Sequence, residues 1–249
     1  MSKNFEVLER LQQDKELLRV PPVIKTMAGN SRPANDRISL LDPDRFAREE
    51  ILRLVQCLFL VTNGSGHSSR RQVVFCGIDD ADASRSLCAE VARRLAEEVP
   101  SQVCVVDANL RGPARSCELF LSDSLPLSQG GTARELMSRV TENLWFASAD
   151  SAAKNGGHAT LEQVGVLTRD LRDEFAYVII SAPPIGLYSD AAFLGQMVDG
   201  VVLVLEANST RRVAARNAKQ KLEAANVQVL GTVLNNRTFP IPEKIYHMF

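Results

Sequence analysis

Tyr177-Val178-Ile179-Ile180-Ser181-Ala182-Pro183-Pro184 is the stretch that decides how the rest of the chain is read. Three apolar β-branched residues in unbroken succession leave no polar face, so Tyr177–Ser181 reads as a strand buried on both sides. Strands of that kind belong to parallel sheets covered by helices on both faces. The pattern recurs outward from it in both directions. Gln72–Gly77, Gln102–Asp107, Leu144–Ala147, Gly200–Glu206 and Gln228–Leu234 are short runs rich in Val, Ile, Leu and Cys. Helical stretches separate them at Ser84–Glu98, Thr132–Val140, Leu161–Glu174, Asp190–Met197 and Arg211–Ala225. This alternation predicts an α/β fold with a mostly parallel sheet. Ligands of such sheets bind beyond the carboxyl ends of the strands, which here are Gly77, Asp107, Ser181 and Leu234.

The remaining chain is an extension. Residues 1–40 are polar and mixed in charge, with weak helical spacing at Glu6–Leu18, a stop at Pro21-Pro22 and a loop or disordered stretch at Gly29–Asp36. Residues 41–71 hold a second helix and a linker, and 72–249 the sheet domain with a short tail. Asp42-Pro43 looks like a helix start, with Asp at the N-cap and Pro at the first helical position. Apolar residues at 51, 52, 55, 58 and 59 form one stripe, predicting a helix from about 43 to 61, followed by a loop over Asn63–Arg71.

Composition excludes whole classes. The chain has 249 residues, 45% hydrophobic, with 29 Lys and Arg against 30 Asp and Glu. That is too apolar for wholesale disorder and too neutral for a dedicated nucleic-acid binder. No apolar run approaches the roughly 18 residues of a membrane span, and Met-Ser-Lys-Asn-Phe-Glu lacks a signal core, so a cytoplasmic protein is expected. Five cysteines at 57, 76, 88, 104 and 117 show no CxxC spacing and read as reduced, mostly buried thiols. His67, His158 and His247 are scattered; neither a metal-ligand spacing nor a catalytic triad is evident.

The first strand end reads Gly77-Ile78-Asp79-Asp80-Ala81-Asp82-Ala83-Ser84-Arg85-Ser86, where a phosphate loop would sit. Such a loop needs glycines, a lysine for the phosphates and then a hydroxyl for magnesium. Here Ala83 stands at the last glycine and Ser84 at the lysine, with Arg85 one position late to replace it. Asp79, Asp80 and Asp82 add carboxylates, each repelling a phosphate about 6 Å away by about 1–3 kcal/mol. Ser84 and Ser86 still offer hydroxyls at a helix N-terminus, so residual nucleotide binding and a plain acidic helix cap both remain open. Asp107 could bind magnesium, accept a proton or cap a turn. Ser181 stands where a P-loop enzyme carries an Asp. Asn235 could read an adenine edge, or Asn235-Asn236 could be a turn with a left-handed Asn.

Four stretches carry a family resemblance. Val103–Pro113 (VCVVDANLRGP), Tyr177–Ala191 (YVIISAPPIGLYSDA), Val198–Arg212 (VDGVVLVLEANSTRR) and Val229–Asn236 (VLGTVLNN) resemble the cytoplasmic domain of bacterial tyrosine kinases that serve capsule and exopolysaccharide assembly. Those kinases are deviant-Walker P-loop proteins, a group that includes the MinD and ParA ATPases. The resemblance runs from Val73 to about Asn236 and implies a P-loop NTPase-like sheet with helices on both faces. It also implies ATP and magnesium as the family's cofactors, held by Ser84, Arg85, Ser86, Asp107 and Asn235, with Asp107 as catalytic residue if the chain is active. Asp190 matches as well, in a structural or nucleotide-orienting place. Glu50 to Gln56 resembles the family's ExxRxxR self-association motif with its last Arg replaced, which implies Glu50 and Arg53 as oligomer contacts; one apolar stripe serves equally a helix that packs on its own domain. The tyrosine-rich tail is reduced to Tyr246, the one candidate phosphoacceptor.

The departures at Ser84 and Ser181 point to a regulatory, catalytically inactive relative. Loss of both charged groups should lower phosphoryl transfer by several orders of magnitude. The resemblance implies a partner, either a membrane polysaccharide co-polymerase or a related tyrosine kinase, holding the chain at the inner face of the membrane. An active autokinase using Arg85, Asp107 and Tyr246 is the competing expectation. A MinD/ParA-like positioning ATPase is the third, but the tail from Phe239 offers one fixed positive charge, Lys244.

Overall fold

The computed structural model describes residues 43–60, 71–110, 137–149 and 159–236, with side chains from residue 47 onward. Outside the described residues lie the expected helix at Glu6–Leu18, the loop at Gly29–Asp36, Asp42, most of the Asn63–Arg71 loop, Cys117, all three histidines and Tyr246.

The elements run α1 (Pro43–Val55), β1 (Gln72–Gly77), α2 (Asp82–Glu98), β2 (Val103–Asp107), β3 (Ser138–Arg139) and β4 (Leu144–Ser148). Then follow α3 (Leu161–Glu174), β5 (Tyr177–Ala182), α4 (Asp190–Gly195), β6 (Val201–Glu206), α5 (Arg212–Ala224) and β7 (Val229–Asn235). The seven strands form one sheet in the order β3-β4-β2-β5-β1-β6-β7. Every pairing is parallel except β3 with β4. The result is the α/β architecture expected from the unbroken apolar runs. β1 and β2 and the first four residues of β6 are buried along their length or nearly so, as strands covered on two faces must be.

Alternate residues of each strand point to opposite faces and so define two cores. Val74, Cys76, Val106, Val178, Ile180 and Leu203 pack with α3, α4 and α5. Val73, Phe75, Val105, Ile179, Val202 and Val204 pack with α1 and α2. α3 starts on a capping box: the Thr160 hydroxyl accepts from the Gln163 backbone N–H, and the Gln163 side chain accepts from that of Thr160.

Two expectations need correction. The helix predicted to run to about 61 ends as an α-helix at Val55 and continues as one π-helical turn, Gln56–Leu60. That turn brings Leu58 and Phe59 into the core, with Phe59 edge-on to Tyr177 at 5.8 Å. The helix predicted over Thr132–Val140 is overturned in its described part, where Ser138–Arg139 is a short antiparallel strand. The chain reverses there, because the backbone N–H groups of Val140 and Thr141 both donate to the Leu144 carbonyl. Arg139 completes the corner, donating to the carbonyls of Thr141 and Glu142 while lying over the Trp145 ring.

At the opposite end of the sheet from the strand carboxyl termini, Asp199 gathers the chain. Its carboxylate accepts from the backbone N–H of Arg71 (2.6 Å) and Gln72 (2.8 Å), and from the Arg172 guanidinium (2.7 Å). Arg71 in turn donates to the carbonyls of Arg172, Phe175 and Ala176 at the end of α3. Asp199→Ala should lower stability by about 2 kcal/mol, since it strands donors at the start of β1. Urea unfolding checks this, and a loss under about 0.5 kcal/mol contradicts it.

Candidate functional site

The site is the carboxyl edge of β1, β2 and β5, which lie side by side in the order β2-β5-β1. Register sets Asp107 directly beside Ser181, and the Ala108 N–H donates to the Ser181 carbonyl at 2.8 Å.

The loop after β1 is tied down at both ends. Its carbonyls at Gly77 and Ile78 accept from the N–H groups of Ile185 (3.0 Å) and Gly186 (2.8 Å) in the β5–α4 connection. Lys221 of α5 reaches that connection and donates to the carbonyls of Ile185 and Gly186. The Asp80 carboxylate accepts from the Asp82 N–H at 3.2 Å, turning the chain into α2. Asp79, Asp80 and Asp82 all stand exposed.

The candidate residues fall into distinct environments. Ser84 is fully buried, and its hydroxyl donates to the Ala81 carbonyl at 2.9 Å. Arg85 is 8% exposed, with Nε 3.0 Å from Asp107 Oδ2 and Nη1 2.6 Å from Asp82 Oδ1. Asp107 also accepts from the Asn109 N–H at 3.2 Å. Ser86 is half-buried one residue further along α2. The structure thus brings Ser84, Arg85 and Asp107 together, with Asp82 added. Asn235 lies on the same carboxyl edge two strands from β1: it ends β7, pairs with Glu206, and its carbonyl accepts from the Ala207 N–H. The left-handed residue of that turn is Asn236, at φ 54°, whose amide donates to Glu206. Asp190 is buried at the start of α4. Glu50 and Arg53 form an ion pair with each other on the exposed side of α1, whose apolar stripe packs inward on its own domain.

Reasoning from sequence alone missed Cys88. It lies three residues after Arg85 and four after Ser84, hence on the same face of α2, within the electrostatic reach of Asp107, Ser181 and Arg85. Burial pushes this thiol well up; the Asp107 carboxylate pushes it further, while Ser181 and the Arg85 charge pull it back. Burial likewise pushes Cys76 up to about 12 and raises Cys104, to which Glu174 adds. These thiols keep their protons in the fold, whereas in the unfolded chain they ionise near about 8.5–9. Above that pH the unfolded state binds fewer protons, so stability falls as pH rises from about 9 toward 12. Each buried thiol contributes a slope of up to about 1.4 kcal/mol per pH unit. Urea titrations at pH 8, 9 and 10 should show the decline, and Cys76→Ala should flatten it. An unchanged slope in that variant would refute the assignment.

Among the described residues no group of three or more His, Cys, Asp or Glu side chains is arranged to hold a metal ion. No helix among them is long and apolar enough to cross a membrane.

No protein-family model matches the chain. Tyrosine-protein kinase CpsD of Streptococcus agalactiae is 40% identical over 65 residues, 26% of this chain and 28% of that protein. Tyrosine-protein kinase CpsD of Streptococcus pneumoniae is 34% identical over 118 residues, 47% and 49% of the two chains. Tyrosine-protein kinase YwqD of Bacillus subtilis is 26% identical over 144 residues, 55% and 60%. The chain therefore spans about half or less of the CpsD proteins it matches and three fifths of YwqD. Among solved structures, the kinase domain of Escherichia coli tyrosine kinase ETK superposes with a TM-score of 0.60 at 18% identity, covering 88% of each chain. The chimerical protein CapA2B2 also gives 0.60 at 18%, over 77% of this chain and 85% of that one. MinD of Aquifex aeolicus gives 0.51 at 13%, over 72% of each. In sequence, then, the chain is related to bacterial tyrosine-protein kinases of the CpsD and YwqD kind, and its fold is that of tyrosine-kinase domains and of MinD.

Proposed function

We propose that the chain is a regulatory, non-catalytic tyrosine-kinase-like protein of bacterial exopolysaccharide or capsule biosynthesis. It acts by binding a membrane polysaccharide co-polymerase or a related tyrosine kinase, and works at the inner face of the membrane through that partner. Self-association through Glu50 and Arg53 of α1 belongs to the same proposal. The same proposal divides the chain at residues 40 and 71 into a polar N-terminal extension, an association helix with its linker, and the sheet domain.

One contact carries the reading: the Arg85 guanidinium is bonded to Asp107 and Asp82 at the start of α2. ATP and magnesium need a loop whose N–H groups and lysine face the phosphates, plus a carboxylate open to the metal. The residues present do not fit that demand. The lysine position holds Ser84, buried and bonded to a carbonyl of its own turn. The neighbouring carboxylate is engaged by an arginine, and three exposed aspartates border the loop. Ser181 lies 3% exposed beside Asp107 and supplies no charge. Phosphoryl transfer depends on positioning and charge stabilisation, and these substitutions remove both. Regulation in this form needs only the surface of the fold, which the two packed cores maintain.

The purified chain, incubated with ATP and magnesium, should release no more phosphate than a buffer blank and carry no phosphotyrosine at Tyr246. Turnover above the blank that disappears in Asp107→Ala would overturn the proposal in favour of an active autokinase.

A further inference from the structure

In the phosphate-loop pattern the residue after the lysine supplies the hydroxyl that ligates magnesium. The register that sets Ser84 at the lysine sets Arg85 at that hydroxyl position. The guanidinium does not point away from the edge. It lies against Asp107, 3.0 Å from Oδ2, the carboxylate that a divalent ion would use at the end of β2, and against Asp82 on its other side. Both carboxylates and the arginine are joined in one cluster whose inner pair is nearly closed to water, with side chains 10% and 13% exposed.

We propose that Arg85 is a resident cation standing in the place of the divalent metal, so that this edge of the sheet is built to be metal-independent. The inference deepens the non-catalytic reading of the same site and rests on it. Magnesium demands oxygen ligands at about 2.0–2.1 Å in near-octahedral array. An ion at that distance from Asp107 Oδ2 meets a guanidinium that already donates to the same oxygen, and the two positive charges repel. Arginine cannot release its charge by losing a proton under physiological conditions. A metal therefore cannot enter by waiting for deprotonation, as it could beside a histidine. The arginine also does by covalent attachment what a metal does by binding: it neutralises the carboxylate at the end of β2 and ties it to the start of α2.

Thermal unfolding in a manganese titration tests this without nucleotide, so its outcome is independent of ATP turnover. The wild type should keep its Tm at every manganese concentration. Arg85→Ser should unfold at a lower temperature and regain about 3–5 °C at ten times the dissociation constant, because the ion refills the place beside Asp107. The double variant Arg85→Ser/Asp107→Asn should lose that rescue. Arg85→Lys, which keeps a positive charge, should stay insensitive to manganese, and it serves as the test if Arg85→Ser does not fold. A manganese-dependent rise in the wild type that Asp107→Asn removes would overturn the inference. So would a folded Arg85→Ser chain that ignores manganese, or an Arg85→Lys chain that Asp107-dependent manganese stabilises. If the wild type proved to turn over ATP while remaining blind to manganese, the functional proposal would fall and this inference would stand.

Discussion

Arg85→Met should lower the unfolding free energy by about 3–5 kcal/mol, read as a fall in the urea midpoint at unchanged m-value. Methionine keeps most of the apolar stem of the side chain, so packing loss is a small part of the effect. The larger part is electrostatic. Arg85 and Asp107 have side chains 10% and 13% exposed, and a carboxylate that far from water loses most of its hydration on folding. In the wild type the guanidinium offsets that loss through Nε, while Nη1 holds Asp82. Without it Asp107 must either remain charged at a cost or take up a proton. Asp107→Asn should cost less, about 1–2 kcal/mol, since Arg85 retains Asp82 and the amide oxygen can still accept from Arg85. The double variant should fall short of the sum, with a coupling of about 1–3 kcal/mol. Additive losses would mean that the pair sits near its surface value of under about 1 kcal/mol.

Gly77→Ala should cost about 3 kcal/mol or more, for a reason unrelated to charge. A Cβ at Gly77 would lie 1.9 Å from the Asp80 carbonyl oxygen and 3.1 Å from its carbon. Both are backbone atoms, so relief requires the loop itself to move. The Gly77 and Ile78 carbonyls are held by Ile185 and Gly186, and Gly186 is itself tight, with a Cβ there 2.4 Å from the Ile78 oxygen. Displacing the loop therefore opens two hydrogen bonds across the β1–β5 edge as well as the turn into α2. Gly231, with nothing within 4 Å of its would-be Cβ, is the internal control. Gly231→Ala should change stability by under about 1 kcal/mol. Equal losses at the two glycines would show that the close approach at Gly77 relaxes freely.

Much of the fold was legible because its strands are local facts. Val73–Cys76 and Val178–Ile180 have no polar alternation to confuse the reading, and the helices between them carry one apolar stripe each. β3 escaped because two residues, Ser138 and Arg139, carry no period, and their strand exists only through Phe146 and Trp145. The π-helical turn at Gln56–Leu60 escaped because its apolar spacing is the same as that of an ordinary helix end. The candidate site was legible in composition but not in pairing. Arg85 looked like a misplaced lysine substitute, and only the packing of α2 against β2 reveals Asp107 as its partner, 22 residues away. Lys221 on the Ile185 carbonyl, 36 residues away, and Asp199 on the Arg71 N–H, 128 residues away, were out of reach for the same reason. Cys88 could have been found from helical spacing, once Ser84 and Arg85 were suspected.

The strand order has a consequence for how the protein is made. β1 is the first strand of the sheet to leave the ribosome, yet its neighbours β5 and β6 begin only at Tyr177 and Val201. Until residues 177–206 have been synthesised, the apolar run Val73-Val74-Phe75-Cys76 has neither of its native edges to pair with. A sheet assembled this way has high contact order and closes late, with a wholly apolar segment waiting for its partners. The nascent chain is therefore most exposed to misassociation during synthesis of its middle third, and a pause or truncation before β5 would leave a hydrophobic strand with two open sides.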